Sequence, residues 1–181
     1  DATEEKLRWI AEAACDRYAD LQMQTRVHPA TLTADRMPLA EAIAPYLLGF
    51  VADPAHFYSG INALTLHVLR AHLDGEHDPA LTDRLLAGLR WAIASALERS
   101  PKDYWARASL AELSLLCFGA EAVRRDWKNA VAAANKDWFA LDSSRQTLQL
   151  LSERGFRPDE TVLALAIVQA ACTMGNSWLA V

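Results

Sequence analysis

RSPKDYW (residues 99–105) and AANKDWF (residues 133–139) have the same form: a lysine, an aspartate and two aromatics close each stretch. Their aromatic pairs, Asp103-Tyr104-Trp105 and Asp137-Trp138-Phe139, lie 34 residues apart. That is the period of a tetratricopeptide-type helix–turn–helix unit, in which each hairpin leaves one apolar face for its neighbour to cover. A third stretch, ADPAHFY (residues 52–58), carries His56-Phe57-Tyr58, which lies 47 residues before Asp103. The added length falls at LDGEHDPALTD (residues 73–83), which reads as a lengthened loop. Phe57 and Tyr58 are therefore expected to lock one hairpin to the next, and Gly60 to let two helices approach closely.

Working outward from these corners, nearly every segment reads as helix. Alanine and leucine dominate, β-branched residues are scattered, and no alternating run suggests a strand. The punctuation of Pro, Gly and Asp predicts helices over 3–26, 37–52, 59–74, 79–99, 102–117, 119–135, 138–154 and 158–173. Thr33 or Asp35 is expected to cap the second, Pro101 and Asp103 to open the fifth, and Pro158, Asp159 and Glu160 to open the last. Asp142 or Ser143 offers a later start for the seventh. Pro45 is expected to kink or shorten its helix. Apolar residues recur at three and four: Leu85, Leu89, Ala92, Ile93 and Ala96; Leu110, Leu113, Leu116 and Cys117; Leu141, Leu148 and Leu151. The expected fold class is all-α, with tetratricopeptide-like antiparallel hairpins stacked in a short right-handed solenoid. The expected organisation is one domain over 1–181, with an N-terminal helix and loop (1–36), a repeat core (37–154) and a C-terminal helix and tail (155–181). The first residue is Asp1, so the chain reads as a fragment of a longer protein or a processed product.

Composition bounds the function. The chain is 52% hydrophobic and 23% charged over 181 residues, enough to bury a sizeable core. A net charge of −5 argues against a general nucleic-acid binder, which needs a basic face. No long uncharged apolar run suggests a membrane span, and no leader is legible. Cys15, Cys117 and Cys172 lie far apart and read as reduced, buried, inert thiols of a cytoplasmic protein.

Catalytic signatures are sparse. Glycine-rich phosphate loops and a GxSxG elbow are absent from the sequence. His67, His72 and His77 recur every five residues, which on a helix turns each by about 140° and keeps them off one face. HLDGEHD (His72–Asp78) reads as a solvated loop rather than a metal site. No enzyme activity, cofactor or metal is expected. Arg124, Arg125 and Lys128 read as a solvated basic face, with an acidic partner as the alternative. Arg107, Glu112, Arg145 and Gln146 are polar residues set among apolar ones, and they serve either structural ion pairs or a binding face. With Tyr58, Asn62 and Tyr104 they make the candidate partner-binding set. Most of the six tryptophans read as core or junction aromatics, with Trp178 near the end as a docking residue.

Three longer runs carry a resemblance. EAIAPYLLGFVADPAHFYSGINALTLHVL (Glu41–Leu69), DYWARASLAELSLLCFGAEAVRRDWKNAV (Asp103–Val131) and DWFALDSSRQTLQLL (Asp137–Leu151) resemble the MAP kinase kinase kinase TRAFs-binding domain and its bacterial relatives. The shared features are an Ala-Ile, a Tyr-x-Gly-Ile-Asn-Ala run, an Asp-Tyr-Trp, an Ala-Glu pair and a Ser-x-Arg-Gln. The resemblance spans residues 39–154. It implies an all-helical, tetratricopeptide-like interaction domain of a signalling or effector protein, binding a peptide or partner domain, an adjacent domain of its own chain included. The alternative is a small-molecule sensor controlling an attached effector, with Tyr58, Asn62 and Tyr104 around the ligand.

Overall fold

A computed structural model describes residues 39–75, 77–135 and 137–176. The expected helix 3–26 lies outside them, as do its neighbouring caps, Cys15, Trp9 and Trp178. The described residues are all helical, with seven helices and no strand: α1 (Leu39–Ala52), α2 (Phe57–Asp74), α3 (Pro79–Arg99), α4 (Tyr104–Cys117), α5 (Ala120–Ala133), α6 (Trp138–Glu153) and α7 (Pro158–Asn176). The chain divides into two compact units between Leu85 and Leu86, inside α3.

Local chemistry explains most of the helix ends. Asp103 and Asp137 are the N-caps of α4 and α6. The Asp103 carboxylate accepts from the amides of Trp105 and Ala106, and that of Asp137 accepts from the amide of Ala140. Each satisfies amides that the first helical turn leaves unpaired. The repeated Lys-Asp-aromatic-aromatic stretch is thus a repeated helix start. Asp78 does the same for α3, accepting from Leu81 N at 3.0 Å, with Pro79 at the first helical position, where its missing N–H costs nothing. Asp159 and Glu160 stand in the first turn of α7. Asp142 lies inside α6 and does not begin it. Pro45 does not end α1, which runs on to Ala52.

In the first unit α1 packs on α2. Ile43, Phe50, Ile61, Leu64 and Leu69 are buried there. Gly60 is buried on α2. A close approach of the two helices is at Gly49, where a Cβ would come within 3.1 Å of Ser59 Oγ. The chain leaves α2 through Gly75, whose φ of 74° is left-handed and whose amide bonds the Ala71 carbonyl. Nothing lies within 4 Å of where a Cβ at Gly75 would be, so the backbone alone requires the glycine. Gly75→Ala is expected to cost about 1 kcal/mol in a thermal melt, and Gly75→Asn less, because asparagine tolerates this region.

In the second unit α4 and α5 form one hairpin and α6 and α7 another, with α5 packed on α7. Turns this short make the paired helices antiparallel. Leu113, Leu116, Val123, Trp127, Leu141, Leu148, Leu151 and Val168 fill the interior. The turn before α7 holds Arg157 at a left-handed φ of 40°. Its guanidinium donates to the Leu115 carbonyl at the end of α4 and pairs with Glu160 at 2.7 Å.

Candidate functional site

The two aromatic corners that lie one period apart in the sequence meet in space. Tyr104 begins α4, and its hydroxyl donates to the carbonyl of Ala140 in the first turn of α6, at 3.0 Å. The Ser144 hydroxyl, one turn further along α6, lies 2.8 Å from the same oxygen. A serine here would otherwise bond the carbonyl four residues back, which is Ala140. The tyrosine takes that carbonyl, and Ser144 then donates to the phenol. Burial pushes the Tyr104 hydroxyl up to about 12, against the lowering effect of the Ser144 bond, with Asp137 adding to the rise.

This seam fixes the directions of the neighbouring rings. Trp105 stands edge-on to Tyr104, with centroids 5.2 Å apart at 78°. It is 41% exposed, while Trp138 and Phe139 at the start of α6 are 40% and 64% exposed. The first aromatic of the α4 corner is therefore interior, and three aromatics of the two corners reach solvent. Trp91 on α3 is 68% exposed. Of the described tryptophans, Trp127 alone is buried, Trp105 and Trp138 are exposed residues of the two corners, and Trp91 is neither core nor corner.

The seven candidate residues have the following surroundings. Tyr58 and Asn62 belong to the first unit. Tyr58 is half-buried, 6.1 Å from His56 in an edge contact, and the Asn62 amide donates to the Tyr58 carbonyl at 2.7 Å. Tyr104 is committed to the seam. Arg107 is half-buried, and its Nε donates to the Pro101 carbonyl at 2.8 Å, closing the turn before α4. Glu112 is half-buried on α4. Arg145 grips Asp142 through Nε and Nη2 at 2.9 and 2.7 Å and donates to Gln149 through Nη1. Gln146 donates to the other oxygen of Asp142, and Gln149 to Glu153. A polar ladder thus runs along α6 at spacings of three and four.

The basic cluster contains a feature that sequence reading missed. Asp126 is only 3% exposed, yet it is a carboxylate on α5. Ser114 of α4 donates to its Oδ2 at 2.5 Å, and Arg125 donates to both oxygens through Nε and Nη2 at 2.8 and 2.9 Å. Neighbours one apart on a helix normally diverge, so Arg125 must fold back over the helix to reach it. The pairing holds the Arg125 guanidinium still more firmly protonated than usual, through that bond first and the charge of Asp126 second. The spacing offered one signal, a lone acid on an otherwise apolar face of α5: Val123, Trp127 and Ala130 share the buried face with Asp126.

Two further expectations need correction. Cys117 and Cys172 are free but only partly buried. Desolvation still raises both thiols, against Arg157 and Arg90 at Cys117, while Asp142 adds to the rise at Cys172. His67 and His77 also do come together, stacked at 6.4 Å. The helical angle does not apply between them, because α2 stops at Asp74 and the turn at Gly75 brings His77 back. His67 Nε2 lies 3.2 Å from the Asp78 carbonyl, which only accepts. Among the described residues no group of three or more His, Cys, Asp or Glu is arranged to hold a metal ion. Nor is any described helix long and apolar enough to cross a membrane. Set against family models, curated proteins and solved structures, the chain matches none.

Proposed function

We propose that the chain is a non-catalytic protein-interaction domain whose hairpins stack as a short tetratricopeptide-like solenoid and hold a peptide or partner domain across α4 and α6. One observation carries this reading: the bond from Tyr104 to Ala140 ties the two repeated corners together while Trp105, Trp138 and Phe139 stay exposed. Rigid aromatics in the first turn of capped helices are good anchors, since little side-chain entropy is lost when a partner covers them. Helical spacing puts Glu112 on the Trp105 face of α4, and Asp142 and Gln146 on the Phe139 face of α6. Arg145 flanks the α6 line, whereas Arg107, two residues after Trp105, lies on the other side of α4 and closes the preceding turn. The resemblance to the TRAFs-binding domain points the same way, toward a cytoplasmic signalling or effector protein. The small-ligand alternative is less well supported, because the Tyr104 hydroxyl and the Asn62 amide are spent inside the fold.

Selection of peptides from a random display library against the immobilised chain tests this. Trp105→Ala with Phe139→Ala is expected to weaken the selected peptides roughly thirtyfold, taking about 2 kcal/mol as the worth of one good anchor. Trp91→Ala, at a more exposed tryptophan on α3, leaves them unchanged. A library that yields no binder, or binders indifferent to the double substitution, overturns the reading.

A further inference from the structure

The basic strip on α5 has a construction that a merely solvated face does not need. Arg124, Arg125, Lys128 and Asn129 are its exposed residues over little more than one turn. Arg124 and Lys128 have no ionic partner among the described residues, and Glu121 is the strip's one acidic residue, exposed a turn earlier. Arg125 differs from them. Its side chain is 68% exposed, yet its guanidinium is clamped at two nitrogens by a carboxylate that is 4% exposed. Asp126 is itself pinned from α4 by Ser114. A buried carboxylate is weak evidence of a stabilising role, since an apolar residue in its place is often as stable. What Asp126 does is hold an exposed cation in one orientation through Nε and Nη2, which leaves Nη1 outside that grip.

We propose that this strip docks a carboxylate-rich peptide segment of a protein partner, with Arg125 as the oriented anchor, Arg124 and Lys128 as flanking charges, and Asp126 as a positioning residue. The argument is charge complementarity. The chain is acidic as a whole, but residues 1–85 carry thirteen acids against seven Lys and Arg, whereas residues 86–181 carry ten against eleven. An acidic segment approaching α5 is therefore not repelled by its own unit. Arg124 and Lys128 stand about 6 Å apart along the axis, a distance that side chains on neighbouring turns of a short acidic peptide span. It is too short for a phosphate track, and the net charge of −5 disfavours nucleic acid and anionic membranes. The inference rests on the interaction-domain reading and names a second face of it.

The test uses the 1–181 chain and a fluorescein-labelled peptide rich in Asp and Glu, with its fully amidated Asn/Gln counterpart as control, read by fluorescence anisotropy. The acidic peptide is expected to bind saturably and to weaken with salt. Arg125→Gln and Lys128→Gln each weaken it severalfold, together by about tenfold or more. Asp126→Asn decides the positioning role by sign. Removing a negative charge makes the strip more positive, so simple electrostatics predicts tighter binding, whereas loss of the clamp predicts weaker binding. Arg125→Lys gives the same answer without touching the interior: it keeps the charge and loses the bidentate grip. Equal binding of the amidated peptide, insensitivity to the two Gln variants, or tighter binding of an oligonucleotide or anionic vesicles of matched charge overturns the proposal. So does unchanged or improved affinity in both Asp126→Asn and Arg125→Lys. Loss of the acidic peptide with library peptides still held through Trp105 and Phe139 sinks the strip alone. Failure of both peptide classes sinks the interaction-domain reading.

Discussion

Trp127→Ala is expected to lower the unfolding free energy by about 3–5 kcal/mol, a large part of what a domain of this size has to spare. The indole is 2% exposed, between Asp126 and the next turn of α5, on the face that packs against the rest of its unit. Removing it leaves a void that a closely packed interior fills only in part. The same side chain carries a defect, since its Nε1–H is buried with no hydrogen-bond partner. An orphaned donor costs roughly 1–3 kcal/mol. Trp127→Phe deletes that donor and about a third of the ring, so its two effects oppose, and a net cost below about 2 kcal/mol is expected. Urea unfolding followed by far-UV circular dichroism measures both variants. A phenylalanine variant as damaged as the alanine one would mean that the N–H does have a partner in solution.

The helices were legible because their ends carry chemistry at fixed offsets. Asp103, Asp137 and Asp78 each sit where a first turn needs an acceptor, and Pro79 and Pro158 sit where a missing N–H is harmless. The boundaries set at 102 and 119 came slightly early because an aspartate or glycine cap was counted as helix: α4 and α5 start at Tyr104 and Ala120. Apolar stripes at three and four also found the interior, and all five residues of the Leu85–Ala96 stripe are buried. Pro45 stands inside α1 without interrupting it. It removes one hydrogen bond, but the remaining ladder and the burial of Ile43 and Phe50 on either side keep α1 continuous.

The site was less legible, for two different reasons. Some of it was present in the spacing, which left Arg145 and Gln146 open to either structural pairs or a binding face. DSSRQTLQLLSE places Arg145 three residues and Gln146 four residues after Asp142, with Gln149 and Glu153 continuing the row. That is the register in which helical side chains bond one another, and they do. The rest depends on partners remote in the chain. Nothing around Tyr104 shows that its phenol meets a carbonyl 36 residues later, and nothing around Asp126 shows that Ser114 waits for it twelve residues earlier. Burial of a polar group is a tertiary fact: the sequence position gives the helix face, and only packing decides which acceptor or donor is there to satisfy it.

The Tyr104 seam should reveal itself in alkaline solution. Its ordinary value of 10.0 rises to about 12 in the fold, with burial as the main cause. A group whose folded value is raised binds its proton more tightly folded than unfolded. Its contribution is complete below pH 10 and is lost as pH climbs from 10 toward 12. A two-unit difference corresponds to about 2–3 kcal/mol over that window. Tyr104→Phe cannot titrate and lacks this loss. At neutral pH the variant gives up the bond to Ala140, but Ser144 can then turn back onto that carbonyl, so the cost there is small, about 1 kcal/mol. The two curves must therefore cross near pH 11, with the parent more stable below and the phenylalanine variant more stable above. Combining Tyr104→Phe with Ser144→Ala removes the fallback donor, and the pair is expected to cost more than the sum of its parts. Urea midpoints taken at intervals from neutral pH to pH 12 supply the test. Parallel curves for parent and variant would mean that the phenol is hydrated in solution and that the seam between the two corners is open.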